Sequence, residues 1–172
     1  VKLFPRADRV PAEIVVLAGL GRGERVLAFA RDGDRWLLGT RRGLVIAEPE
    51  VAAVRFGWEA IQAADWDKDE RTLVVSEIGE FGLPRASYTF TLENPVLLLQ
   101  LIRERVTASV VLQRGYLVTA TAGFKVIGRR PPDGGPIAWM HEYDAGIDPD
   151  DPDVVLAAAE ALARARADVG EE

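Results

Sequence analysis

Cysteine is absent from the 172 residues, and histidine and methionine occur once each, at His141 and Met140. The lack of cysteine excludes disulfides, thiolate metal sites and thiol catalysis together. It accords with a reducing compartment, so a cytoplasmic location is expected. Lysine is also scarce, at Lys2, Lys68 and Lys125 only. Basic charge is carried by arginine, and with the abundant alanine and valine this suggests a GC-rich bacterial genome. Long apolar runs are missing as well. The densest, Ile14–Leu17 and Val96–Leu99, fall far short of the roughly 20 residues a membrane span needs. The stretch Val1–Pro11 carries Lys2, Arg6 and Arg9 but no apolar segment, so it does not read as a signal peptide.

What is present is ordinary globular material, with 48% hydrophobic and 28% charged residues. The net charge of −6 and pI near 5.0 argue against a surface built for nucleic-acid phosphates, and no nucleic-acid partner is expected.

The apolar pattern has three phases. A short helix is predicted from Pro11 to Gly19, with Ile14, Leu17 and Ala18 sharing a face. Short apolar runs separated by turn signals follow. They are Arg25–Arg31, Trp36–Thr40, Leu44–Ala47, the alternating Val54, Phe56 and Trp58, then Ala64 with Trp66, Leu73–Ile78, and Tyr88, Phe90 and Leu92. Asp32-Gly33-Asp34 is a hairpin turn, and 79–85, with Gly79, Gly82 and Pro84, is a loop. About seven strands in succession favour an antiparallel meander over βαβ units. A helix from Asn94 to about Thr107 follows, with Asn94 as N-cap and Pro95 at its first position. Its polar stripe is only Gln100, Arg103, Glu104 and Thr107, so the helix should be covered on two sides. Three further strands are read at Ser109–Ala120, Phe124–Arg130 and Ile137–Asp144. A last helix is capped by Asp151 and carries the stripe Val155, Ala158, Leu162, Ala165 and Val169. The fold class expected is α+β.

Few residues suggest chemistry. His141 would share a strand face with Trp139 and Tyr143, with Glu142 and Asp144 on the other face, which argues against a base–acid pair with either. Ser76, Ser87 and Ser109 lie in strand contexts, so no serine triad is assigned. The cluster Asp148, Asp150, Asp151 and Asp153 suggests calcium, yet its spacing is not that of an EF-hand, and acidic residues favour a helix N-terminus. Asp65, Asp67, Asp69 and Glu70 read as a solvated turn. Gly19–Gly23 precedes a strand, whereas a phosphate loop follows one, so it reads as a linker. Trp36, Trp58, Trp66 and Trp139 read as core or rim. Anion or ligand contacts would come from Arg41, Arg42, Arg129, Arg130 and His141. No catalytic set, metal site or cofactor is assigned, and whether the chain is an enzyme is left open.

The order of elements up to residue 107 resembles the pleckstrin-homology-like superfold, in particular bacterial PH-like and GRAM-like domains. The likeness rests on Gly23-Glu24-Arg25-Val26-Leu27, on Leu38-Gly39-Thr40-Arg41-Arg42-Gly43-Leu44-Val45, on Val54–Asp67 with Trp58 and Ile61, and on the helix Leu92–Arg105. The whole chain is similar to an uncharacterised actinobacterial family. The resemblance implies a bent antiparallel barrel with a capping helix over 1–107. Segment 108–172 has no counterpart in a minimal PH-like domain, and the wide apolar face of the capping helix makes it an expected β-β-β-α extension packed on that helix. The resemblance also implies a non-catalytic binding or scaffold domain, for a protein partner or self-association. The alternative is a small-molecule binder or enzyme with a cleft between barrel and extension. Lipid-binding PH domains usually have a basic first hairpin. Here Arg31-Asp32-Gly33-Asp34-Arg35 cancels its charges, so membrane-lipid binding is not expected.

Overall fold

A computed structural model describes residues 9–79 and 86–171. Lys2, Arg6, Gly82, Pro84 and most of the 79–85 loop lie outside the described residues. The elements run α1 (Ala12–Leu17), β1 (Ala28–Asp32), β2 (Arg35–Gly39), β3 (Gly43–Glu48), β4 (Val51–Gly57), a 3-10 turn (Trp58–Ala60), β5 (Ile61–Asp67), β6 (Thr72–Glu77) and β7 (Ser87–Thr91). They continue as α2 (Val96–Ser109), β8 (Val110–Leu117), β9 (Gly123–Arg129), β10 (Ala138–Tyr143) and α3 (Pro152–Asp168). The fold is α+β, with three antiparallel sheets ordered β1-β2-β3-β4, β5-β6-β7 and β10-β9-β8.

Turn chemistry sets the meander. Asp32 pairs with Arg35 across a two-residue turn in which Gly33 takes a φ of 60°, a conformation glycine adopts without steric cost. Between β2 and β3 the Thr40 amide donates to the Gly43 carbonyl at 2.9 Å. Gly43 admits no side chain, because an added Cβ would sit 2.1 Å from the Phe56 carbonyl oxygen. The alternation of Val54, Phe56 and Trp58 breaks at its last member. Trp58 starts the 3-10 turn that carries the chain from the first sheet into the second. Its indole is fully buried and donates to the carbonyls of Thr40 (3.2 Å) and Arg41 (3.1 Å). A polar handle with partners on the β2–β3 turn thus fixes the corner.

The main core lies between the first two sheets and α2, and includes Leu37, Leu44, Phe56, Trp58, Leu73, Phe90, Leu98 and Ile102. The opposite face of the first sheet is covered by α1, through Ile14 and Ala18 against Trp36, Leu38 and Val45. β2 and β3 are therefore buried on both faces, which is why they read as unbroken apolar runs. Leu17, expected on the inner face of α1, is exposed. The buried pair Ile14 and Ala18 is spaced by four residues, and Leu17 falls beside it.

The start of α2 and the buried face of α3 differ from expectation. α2 begins at Val96 with Pro95 as the preceding residue, and Asn94 takes a φ of 49° with no side-chain cap bond. Asparagine tolerates that left-handed conformation, so it serves the turn rather than the cap. In α3, Asp151 caps as expected, accepting from the Asp153 amide at 2.9 Å. The buried stripe is Val154, Ala158, Ala161 and Ala165, whereas Val155 is exposed. Small residues let α3 lie close on Phe124 and Val126 of β9, with Leu112, Tyr116, Trp139 and Tyr143 around them.

The apolar stripe of α3 is thus used on its own sheet. Val96 and Leu97, in the first turn of α2, remain 70% and 69% exposed. On β9 the residues alternating with Phe124 and Val126 include Ile127 and Arg129, which are also buried. The Arg129 guanidinium reaches the N-terminal unit and donates to the Ile61 carbonyl.

Candidate functional site

The basic candidates do not converge. Arg41 and Arg42, on the β2–β3 turn, both pair with Asp133 of the β9–β10 loop, at 3.4 and 2.5 Å. Arg129 is buried in its contact with Ile61, and its Nε has no hydrogen-bond partner. Burial pulls its guanidinium below the ordinary value, with the Glu142 carboxylate opposing that shift. Arg130 is exposed, and its amide donates to the Ser109 carbonyl. His141 shares its face with Trp139 and Tyr143, as alternation predicts. Its Nε2 lies 3.2 Å from the Ala158 carbonyl of α3, and its ring meets Phe124 edge-on. Glu142 instead bonds Lys125 at 3.3 Å. Burial raises the Tyr143 hydroxyl above its ordinary value.

The acidic groups act locally. Asp67 Oδ1 accepts from the amides of Asp69 (2.8 Å) and Glu70 (2.9 Å), and Asp148 Oδ1 accepts from Asp150 (3.0 Å). These are side chain-to-backbone turns. Among the described residues no group of three or more His, Cys, Asp or Glu is placed to hold a metal ion, and no helix is long and apolar enough to cross a membrane.

Two concave regions bear on these residues and on the apolar surface of α2. The first is a cleft of about 470 Å³ where the N-terminal unit meets the β9–β10 loop, lined by Glu24, Arg42, Arg55, Glu59, Pro131 and Asp133 among others. Its organising group is Glu24, whose side chain is 2% exposed. Desolvation opposes its charge. Hydrogen bonds from Thr40 Oγ1 (2.6 Å), Arg55 (2.8 Å) and the Gly21 amide (3.0 Å) outweigh that penalty and hold the carboxyl below its ordinary value. Thr40 is itself fully buried and accepts from the amides of Arg42 and Gly43, both at 3.1 Å. Glu59 Oε2 is buried with no partner.

The second is an open groove of about 810 Å³ along β1. One wall is the continuous stretch Leu27–Gly33. The other is Arg71, Thr91, Glu93, Asn94, Val96 and Leu97. Leu27 is 40% exposed, so three large apolar side chains face solvent in one trough. β1 is the outermost strand of its sheet.

Sequence reasoning raised a cleft between barrel and extension and named Arg42, but it missed Glu24 at the centre of that cleft and missed the β1 groove. The only trace of the groove was the excess apolar width of α2. The Glu24–Thr40–Arg55 network joins residues far apart in sequence, and no local pattern announces it. In comparisons with known proteins, no family model, no curated protein and no solved structure matches the chain.

Proposed function

We propose that the chain is a non-catalytic recognition module of PH-like build that binds another polypeptide, acting in the cytoplasm. The observation that carries this reading is the β1 groove, where Leu27, Val96 and Leu97 hold apolar surface in water. Leaving such side chains exposed forgoes roughly 1.5–3 kcal/mol each, and a partner that covered them would recover it. Support for the PH-like build comes from the order of elements. Four strands, a corner, three strands and then a helix lying against both sheets is the order the resemblance implies. The residues from β8 onward form the extension, joined to the N-terminal unit through Arg129 and through Asp133.

A second reading places a small charged ligand in the Glu24–Asp133 cleft, where Arg42 would contact it. It is favoured by the unpartnered Glu59 Oε2 and by the pairing of opposite charges across the walls.

Selection of a displayed random-peptide library separates the two. Enrichment on the native chain that is lost in Leu97→Asp supports polypeptide recognition. No enrichment, with resonances around Glu24 and Arg42 moving when a panel of charged metabolites is added, would replace it with the second reading.

A further inference from the structure

We infer that the β1 groove takes its partner as an added strand: an extended segment of a different polypeptide, apolar at alternate positions and carrying a carboxylate. The inference rests on the recognition reading above and specifies its ligand. Among the described residues β1 pairs only with β2, so its far edge offers main-chain donors and acceptors. The groove follows that edge without interruption from Leu27 to Gly33. Its strand portion, Ala28–Asp32, spans roughly 15 Å at a rise of about 3.3 Å per residue, the length of a short strand and too long and open for a compact metabolite. The facing wall presents Val96 and Leu97, and an added strand would turn every second side chain toward them.

Charge selects the occupant. Asp32 is held by Arg35, which leaves Arg31, Arg71 and Glu93 as the charges of the lining. Arg31 donates to the Gly33 carbonyl and lies 4.8 Å over the Trp36 ring. Arg71 makes no ion pair among the described residues, and at a φ of 53° it stands at the turn where the groove ends. The trough therefore has a positive surplus in a chain of net charge −6. A second copy is a poor occupant. It would bring the same positive surplus to the groove in place of a carboxylate, and would join two chains of like net charge.

The test uses the full chain and a displayed library of random seven-residue peptides. Enriched sequences are expected to alternate apolar and polar residues and to contain Asp or Glu. A synthetic peptide of that consensus should slow hydrogen exchange at the amides of β1. Arg71→Glu should weaken its binding about tenfold or more, whereas Val155→Asp, on the exposed face of α3, should leave it unchanged. Val155→Asp also controls for added surface charge, and the melting curve of Arg71→Glu controls for its folding. Peptides that bind and lose affinity in Leu97→Asp, but repeat every three to four residues or leave β1 exchange unaltered, would overturn strand addition while leaving recognition intact. Enrichment without acidic residues and indifferent to Arg71→Glu would overturn the charge assignment. Failure to enrich any peptide would overturn both the inference and the reading beneath it. A concentration-dependent dimer in sedimentation, abolished by Leu97→Asp, would assign the groove to a second copy instead.

Discussion

Thr40→Val replaces a fully buried hydroxyl by a methyl of nearly the same volume, so packing should hardly change. What changes is the hydrogen bonding. Thr40 Oγ1 donates to Glu24 Oε1 at 2.6 Å and accepts from the amides of Arg42 and Gly43. The bond to Glu24 is charge-assisted and contributes roughly 1.5–3 kcal/mol. The Gly43 amide is left buried without its side-chain acceptor, costing on the order of 1 kcal/mol more, while the Arg42 amide can turn to water. A loss of about 3 kcal/mol at neutral pH is expected. Part of it must depend on pH. The Glu24 carboxyl is held below its ordinary value of 4.5 when folded. Its stabilisation is therefore fully present above that value and is lost as pH falls through the lower folded value. The substitution removes a source of that depression, so the gap between native and Thr40→Val should narrow as pH falls below 4.5 and through the lower folded value, leaving only the amide contribution. Urea unfolding at stepped pH, followed by tryptophan fluorescence, measures it. A gap below about 0.5 kcal/mol at neutral pH, or one that stays constant down to acid, would refute the role assigned to the Thr40–Glu24 bond.

Gly43→Ala should destabilise by roughly 1–3 kcal/mol or abolish folding, because its Cβ would meet the Phe56 carbonyl; Gly115→Ala, with open space around its Cβ, should be neutral or slightly stabilising in the same denaturation series. Asp151→Ala should cost about 1 kcal/mol by loss of the α3 cap, and calcium should leave the native melting temperature unchanged. A calcium-dependent rise that disappears in an Asp150→Ala, Asp153→Ala double variant would overturn the capping account. Anionic vesicles at physiological salt should not retain the chain on co-sedimentation, given its net charge of −6 and the Asp32–Arg35 pair on the first hairpin. Tight, salt-sensitive retention would redirect attention to Arg41, Arg42 and Arg130.

Most of the strand order was legible because period-two alternation and turn residues are local signals. Tyr88 and Phe90 alternate with Ser87 and Thr89, and Gly33 closes its hairpin where expected. The corner at Trp58 was not legible. Its alternation with Phe56 reads as a continuing strand, and only the indole's bonds to Thr40 and Arg41, from the preceding turn, show why the chain bends there. The stripe of α3 was displaced by one residue at two places, with Val154 buried for Val155 and Ala161 for Leu162. Alanine-rich helices offer several nearly equal apolar faces, and Phe124 and Val126 select the one with the smallest side chains. The candidate residues were chosen by type, which says nothing of what they meet. Arg41 and Arg42 look like an anion site until Asp133, remote in sequence, is brought beside them.

Arg129 carries that point further, because its neighbour in sequence has a different fate. Arg129, the last residue of β9, is buried, whereas Arg130 lies just past the strand's end and is exposed. A guanidinium taken out of water costs several kcal/mol, and the bond to the Ile61 carbonyl returns only part of that. The cost is tolerable only if the surrounding contact is dry and persistent, since each separation of β9 from β5 would let the charge return to solvent at a gain. Ile127, on the same strand face and 4% exposed, supplies apolar burial of the required kind. The C-terminal residues are on this argument a fixed part of the fold around the first two sheets. The surface proposed for a partner is the groove along β1, where a strand edge and the start of α2 stay uncovered.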